Sequence, residues 1–117
     1  MKYAVLDTNF ILSAIRKKID FFEKIQFMGF KILIPQQVIR EIEKFTKSKP
    51  EAKLALVLLK NNSFGEIDLH SKNVDNGIVN LARKNENYAI ATLDREMKNK
   101  IKNPKIVIRG ERNLEII

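Results

Sequence analysis

The sequence predicts an α/β fold, a three-layer sandwich built on a mostly parallel sheet. Short apolar runs, typical of strands buried on both faces, alternate with segments of helical periodicity. This alternation places helices on both sides of a parallel sheet. Only four glycines and three prolines occur among 117 residues, so no linker or low-complexity tract is evident. We therefore expect a single domain over residues 1–117.

The first strand is the apolar run at residues 3–6, which ends at Asp7. Thr8 or Asn9 is expected to cap the helix that follows, and Gly29 to end a second helix. Pro35 is suited to the start of a helix that reaches about residue 46. The other predicted elements are strand 31–34, helix 51–60 with an apolar side at Leu54, Val57 and Leu58, strand 66–69, helix 74–84, strand 88–92, helix 94–101, strand 106–108 and edge strand 114–117.

Composition restricts the class of function. Lys and Arg total 22 against 14 Asp and Glu, a net charge of +8 that suits a polyanionic partner. With no cysteine, the chain has no disulfide scaffold, thiol chemistry or zinc-cysteine site, and a cytoplasmic, reducing setting is expected. No apolar run approaches the ~20 residues of a membrane span, so no membrane partner is expected.

Acidic residues stand at positions where a sheet of this kind gathers its ligands. Asp7 and Asp94 directly follow the carboxyl ends of predicted strands. At 100° per residue, Glu41 lies on the same side of its helix as Ile42, whereas Glu43 turns toward solvent. Because an inward carboxylate is costly unless it is paired or binds a metal, Glu41 is a candidate site residue.

Asp75 and Asp94 each precede apolar positions of their own helix by three and seven residues, so both are predicted to face the core side. Each also fits an ordinary helix cap. A parallel sheet would bring Asp7, Glu41, Asp75 and Asp94 to one edge. No other apolar face in the sequence carries a Lys or Arg that could neutralise their charges. Oxygen ligands without cysteine or clustered histidine favour Mg²⁺ or Mn²⁺ over zinc. The lone His70 is expected at the surface.

Four segments in order resemble the pattern of PIN-domain nucleases over essentially the whole chain: Leu6-Asp7-Thr8-Asn9, Glu41 after Pro35 and Val38, Asp75-Asn76-Gly77-Ile78, and Thr92-Leu93-Asp94. The resemblance implies a sheet of order 3-2-1-4-5 and metal-dependent cleavage of RNA. Asp7, Glu41, Asp75 and Asp94 would be its catalytic and metal-binding acids. Thr8, Asn9 and Thr92 match small polar positions that orient a carboxylate or a water. Leu93 departs from many relatives, which carry a polar residue there.

A basic flank follows the last acid, because residues 95–112 hold seven basic side chains against two acidic ones. The candidate contacts to an RNA backbone are Arg95, Lys98, Lys100, Lys102 and Lys105. A solvated, lysine-rich surface is the alternative interpretation. The early aromatic residues Phe21, Phe22, Phe27 and Phe30 are expected to form either core or a homodimer face.

Three classes of function remain for this sequence. The first is a metal-dependent ribonuclease, either a VapC-type toxin with an antitoxin partner or an enzyme of archaeal ribosomal-RNA processing. The second is a non-catalytic RNA-binding or ribosome-assembly domain whose acids serve structure. The third is an aspartate phosphoacceptor, which is disfavoured because Asn9 replaces the second acid of an Asp-x-Asp phosphatase.

Overall fold

A computed structural model describes residues 2–117. In this part of the chain the elements are, in order, β1 (Lys2–Leu6), α1 (Thr8–Arg16), α2 (Phe21–Phe27), β2 (Phe30–Pro35), α3 (Gln36–Phe45), α4 (Pro50–Lys60), β3 (Gly65–Ile67), α5 (Val74–Lys84), β4 (Ala89–Ala91), α6 (Arg95–Asn99), β5 (Lys105–Arg109) and β6 (Asn113–Ile116). None of the helices within residues 2–117 combines the length and the hydropathy that a membrane crossing requires.

The strands form one sheet in the order β3-β2-β1-β4-β5-β6. Pairing is parallel from β3 through β5, and β6 runs antiparallel to β5. The predicted α/β class and the order 3-2-1-4-5 are therefore confirmed, with β6 as the edge strand expected near residues 114–117. In the central strand β1, Ala4, Val5 and Leu6 are fully buried, as a strand covered on both faces requires.

The start of α1 differs from the prediction. Its cap is Asp7, whose side chain accepts a hydrogen bond from the Thr8 amide, so the expectation of a Thr8 or Asn9 cap is wrong. Thr8 is instead the first helical residue and is buried, whereas Asn9 is exposed. The chain turns directly from strand to helix, and Asp7 thus ends one element and caps the next.

The buried face of α4 also differs from the predicted one. Leu54 and Val57 are exposed, and the buried residues are Ala52, Ala55 and Leu59. This helix is apolar on most of its circumference, so periodicity alone could not choose its inner face, and the two small alanines permit close packing.

The early aromatic residues separate into two groups. Phe21, Phe22 and Phe30 lie in the core, whereas Phe27, at the end of α2, is 92% exposed. The core interpretation is confirmed for the three buried rings. A homodimer face at Phe27 stays a prediction.

Candidate active site

Neighbouring strands β1 and β4 place Asp7 beside Thr92. Leu6 pairs with Ala91, and the Asp7 amide continues the ladder by donating to the Ala91 carbonyl at 3.0 Å. The Thr92 hydroxyl donates to Oδ2 of Asp7 at 3.1 Å and accepts from the Asp94 amide at 3.1 Å. Thr92 therefore connects the first acid to the backbone of the last one.

Asp7 is a buried carboxylate, only 3% exposed. Its Oδ1 accepts from the Thr8 amide at 2.8 Å, so each oxygen has one hydrogen bond. Burial raises the pKa of Asp7 to about 6; the hydrogen bonds from Thr92 and Thr8 oppose this shift, and the charges of Asp75 and Glu41 add to it. At neutral pH the group is largely ionised without a neutralising partner.

Asp94 caps α6 by accepting from the Met97 amide through Oδ1 at 3.1 Å. The cap interpretation is thus correct for Asp94, which is half-buried. Its second oxygen, Oδ2, accepts no hydrogen bond from residues 2–117. That oxygen is therefore available to another ligand.

Asp75 is the second residue of α5, and the cap of that helix is Asn73, whose side chain accepts from the Asn76 amide at 2.9 Å. Asp75 is exposed, so the predicted core-facing direction and the cap alternative are both wrong for it. The buried residues of this helix start at Gly77. Partial burial raises the pKa of Asp75, with further contributions from the negative charges of Asp94, Glu41 and Glu96.

Glu41 is half-buried on α3, whereas Glu43 is exposed, which confirms the direction predicted from helical rotation. The Glu41 charge raises the pKa values of both Asp7 and Asp75. The structure thus brings Asp7, Glu41, Asp75 and Asp94 within electrostatic range of one another. Among residues 2–117, no basic side chain forms an ion pair with any of the four.

The sequence model of the family described as "PIN like domain" matches residues 4–112. The chain belongs to the PIN-like domain family. It is 34% identical to Ribonuclease VapC4 of Methanocaldococcus jannaschii over 96% of this chain and 94% of that protein. Its structure also matches that of the PIN domain endonuclease Utp24, with a TM-score of 0.82 and 24% identity, over 97% of this chain and 90% of the other.

These comparisons confirm the family suggested by the four sequence motifs. The match to Utp24 shows the fold alone at its level of identity. The relationship to VapC4 extends along nearly the full length of both chains, so this PIN-like domain is homologous to a ribonuclease. Homology of that extent supports a nuclease that hydrolyses its substrate.

The PIN-like domain carries one acidic residue near the site that sequence reasoning missed. Glu96 lines a small cavity of about 150 Å³ together with Asp75, Asp94 and Lys100. Its carboxylate lies 3.6 Å from the Lys100 ammonium nitrogen, and its charge raises the pKa of Asp75. The available signal was its place in the first turn of α6, two residues after Asp94.

The residues of the predicted basic flank differ in how close they lie to these acids. Lys100 lines the Asp75 cavity, and Arg95 opens α6 directly after Asp94. Lys98 is half-buried on the same helix, whereas Lys102 is exposed beyond it. Lys105 begins β5 and pairs with Ile90, one residue before the end of β4.

The site suits a divalent cation by donor chemistry and by charge. Within residues 2–117 its four carboxylates form no ion pair with a basic side chain, and the buried Thr8 hydroxyl finds no hydrogen-bond partner. In that same part of the chain, no three acidic or histidine side chains are gathered into a ready cage for an ion. Mg²⁺ is commonly held by one or two carboxylates and several waters, so these residues fit such an ion.

Proposed function

We propose that this PIN-like domain is a divalent-metal-dependent endoribonuclease, with Mg²⁺ or Mn²⁺ as its cofactor. The observation that carries the proposal is the set of four acidic side chains whose charges act on one another, none of which forms an ion pair within residues 2–117, although the Lys100 charge partly opposes the rise of the Asp75 pKa. Structural acids would be expected to pair with a base, because an unpaired buried charge destabilises a protein. This contrast favours catalysis over the non-catalytic RNA-binding alternative.

The four acids, Asp7, Glu41, Asp75 and Asp94, are the proposed metal-binding and catalytic residues; because no three of them are gathered around one point within residues 2–117, an ion would be held by one or two of these carboxylates, with water completing its coordination. When bound, the cation supplies Lewis acidity at the phosphate and lowers the pKa of the attacking water. The Thr92 hydroxyl and Thr8 amide fix the Asp7 carboxylate in one orientation. Asp94 keeps one oxygen without a hydrogen bond from residues 2–117 while its other oxygen caps α6. As the water oxygen bonds to phosphorus, a proton of the water passes to a carboxylate of this cluster, and the bond from phosphorus to the leaving 3′ oxygen breaks, with that oxygen protonated from solvent.

RNA is the proposed substrate. The net charge of +8 favours a polyanion, and the homologous VapC4 is a ribonuclease. We propose that Arg95, Lys98, Lys100, Lys102 and Lys105 contact phosphates beside the cleaved bond. Asn9 is exposed as the second residue of α1. The same relative favours a toxin with an antitoxin partner over a processing enzyme, and a cytoplasmic location goes with an RNA substrate.

The test compares cleavage of a labelled single-stranded RNA by wild type, Asp7→Asn and Asp94→Asn in Mg²⁺ or Mn²⁺. We expect both variants to retain RNA binding and to lose more activity than the roughly 10- to 100-fold that removal of an outer-sphere partner costs. Asp20→Asn is the matched control, because Asp20 also caps a helix but is exposed on α2. Equal cleavage by wild type and Asp7→Asn would refute the proposal.

A further inference from the structure

We propose that a cationic groove between α3 and the segment 70–74 binds the RNA phosphate adjacent to the one being cleaved. The inference rests on the proposed function, and it adds a substrate-binding surface that the basic flank after Asp94 does not include. The groove is a cavity of about 480 Å³ lined by Gln37, Arg40, Glu41, Lys44, His70, Ser71, Lys72 and Val74.

One face of α3 forms the first wall. Gln37, Arg40, Glu41 and Lys44 recur at the three- and four-residue spacing that places side chains on the same side of a helix. The core side of the same helix is formed by Val38 and Ile42. The polar face is therefore directed into the groove while the helix stays anchored in the core.

The groove carries excess positive charge. Arg40, Lys44 and Lys72 line it, and Glu41 is its one acidic lining residue within residues 2–117. None of the three basic groups forms an ion pair in that part of the chain; Arg40 donates only to the neutral Gln36 side chain, at 3.4 Å. Exposed guanidinium and ammonium groups of this kind hold phosphate oxygens by charge-assisted hydrogen bonds.

The segment 70–74 forms the opposite wall, and hydrogen bonds from α3 hold the residues that directly precede it. The Gln37 amide donates to Asp68 at 2.7 Å and accepts from the Leu69 amide at 3.1 Å. Asp68 also accepts from the backbone of His70, which takes the left-handed conformation with φ of 52°. The wall is therefore held in one shape before any ligand arrives, which reduces the entropy lost on binding.

Close packing by α5 supports the same segment. A Cβ at Gly77 would lie 2.9 Å from Cβ of Leu69 and 3.1 Å from Cβ of Ser71, so only glycine allows α5 to approach this closely. This contact fixes the distance between the groove wall and the helix that bears Asp75. The position of the groove relative to the acids is thus built into the fold.

The groove adjoins the acidic site through shared or consecutive residues. Glu41 lines the groove and also raises the pKa of Asp7. Val74 lines the groove, and the next residue, Asp75, lines the small acidic cavity that contains Lys100. An RNA strand with one phosphate at the acids would then contact Lys100 and also the groove residues Arg40, Lys44 and Lys72. RNA is favoured over an acidic peptide because the homologous VapC4 is a ribonuclease, whereas the central acids repel phosphates and carboxylates alike unless a cation is bound.

The test uses the triple variant Arg40→Gln, Lys44→Gln, Lys72→Gln. Its control is Lys24→Gln, Lys53→Gln, Lys60→Gln, which removes equal charge from exposed positions on α2 and α4. Binding of an RNA of about 12 nucleotides is measured without divalent metal over a range of salt. We expect the groove variant to bind at least about 10-fold more weakly, and the slope of log K against log salt to become shallower by about 0.7 per lost phosphate contact. The control should bind like wild type.

Cleavage in Mn²⁺ then separates the two proposals. We expect the groove variant to lose kcat/KM mainly through KM, and to lose more on the long RNA than on a dinucleotide, which has no neighbouring phosphate. Equal binding by groove and control variants, with cleavage intact, would overturn the groove and leave the ribonuclease standing. If wild type binds RNA through the groove but never cleaves it, the ribonuclease proposal is overturned and the groove proposal stands. If wild type neither binds nor cleaves RNA, both proposals are overturned.

Two further measurements guard the interpretation. Lys72→Glu reverses one exposed charge on the segment opposite α3 and should weaken binding even if the triple variant folds poorly. Polyglutamate is the competitor that represents an acidic protein segment. If it binds as tightly as RNA and loses that binding in the groove variant, the groove serves a protein partner and the RNA assignment is wrong.

Discussion

Replacing Asp7 by Asn should stabilise the protein at neutral and alkaline pH when no divalent metal is present. The folded structure raises the pKa of this carboxyl from 3.8 to about 6, chiefly by burial. Each unit of pKa difference between the folded and unfolded states corresponds to 1.36 kcal/mol. Once Asp7 is ionised in both states, its charge therefore destabilises the folded state by about 3 kcal/mol. Asparagine removes that cost.

The substitution also removes part of what holds the side chain. An Asn oxygen can still accept from the Thr8 amide, but its NH₂ group faces the Thr92 hydroxyl, which then has no acceptor for its own hydrogen. One lost hydrogen bond costs about 1 kcal/mol, which leaves a net gain of about 2 kcal/mol. For a domain of this size, the corresponding rise in Tm is roughly 8 °C.

The sign of the pH dependence follows from proton binding. Between pH 3.8 and about 6, folded Asp7 holds more protons than the unfolded chain, so the wild-type free energy of unfolding falls as pH rises through this window. The variant lacks this term, and the difference between the two proteins should therefore grow from about pH 4 to pH 6 and then stay constant.

Urea denaturation in EDTA at several pH values measures that difference directly. Asp20→Asn is again the control, because Asn caps a helix as well as Asp does and Asp20 is exposed. A variant no more stable than wild type at pH 8, or a difference that does not vary with pH, would refute the assignment of Asp7 as a strained, uncompensated charge.

Three further predictions follow from the same site. Mn²⁺ should raise the Tm of wild type and leave that of Asp7→Asn nearly unchanged, as differential scanning calorimetry would show. Asp75→Ala should be neutral or stabilising without metal, because the Asp75 carboxylate repels the neighbouring acids and does not cap a helix. The same variant should abolish the rise in Tm caused by Mn²⁺. A decrease in the free energy of unfolding beyond the ~1 kcal/mol of a helix cap would contradict this prediction. Thr92→Val should lower stability by about 1–3 kcal/mol in urea denaturation, since it leaves a buried Asp7 oxygen unsatisfied.

Much of this fold could be predicted because its signals are local. The apolar centres of β1 and β4, residues 4–6 and 89–91, contain no polar residue, and the helical pattern of residues 74–84 predicted the observed bounds of α5. The order of the strands was predicted from the resemblance of the four motifs to the PIN-domain pattern and not from periodicity. The gathering of Asp7 and Asp94 followed from parallel topology, since both acids succeed strands that end at the same edge.

What escaped prediction depends on side-chain directions that sequence spacing does not fix. Asp75 precedes buried residues of α5 at helical spacing but is exposed, and the first buried residue of this helix is Gly77. Glu96 contributes to the site through space, and its only sequence signal was its nearness to Asp94. The groove on α3 required the distant segment 70–74 to complete it, a contact that Gln37 makes through Asp68 and Leu69.

Helix capping and the proposed active-site role coincide at Asp7 and Asp94. Asp7 directly follows β1, Asp94 lies three residues after β4, and each caps the following helix, so the positive end of α1 or α6 lies beside its capping carboxylate. At Asp7, the hydrogen bond from the Thr8 amide stabilises part of the negative charge that burial and neighbouring acids oppose. A helix cap therefore does not compete with the proposed ligand-binding role at these positions, because the capping hydrogen bond orients the carboxylate and, at Asp94, leaves the other oxygen without a hydrogen bond from residues 2–117.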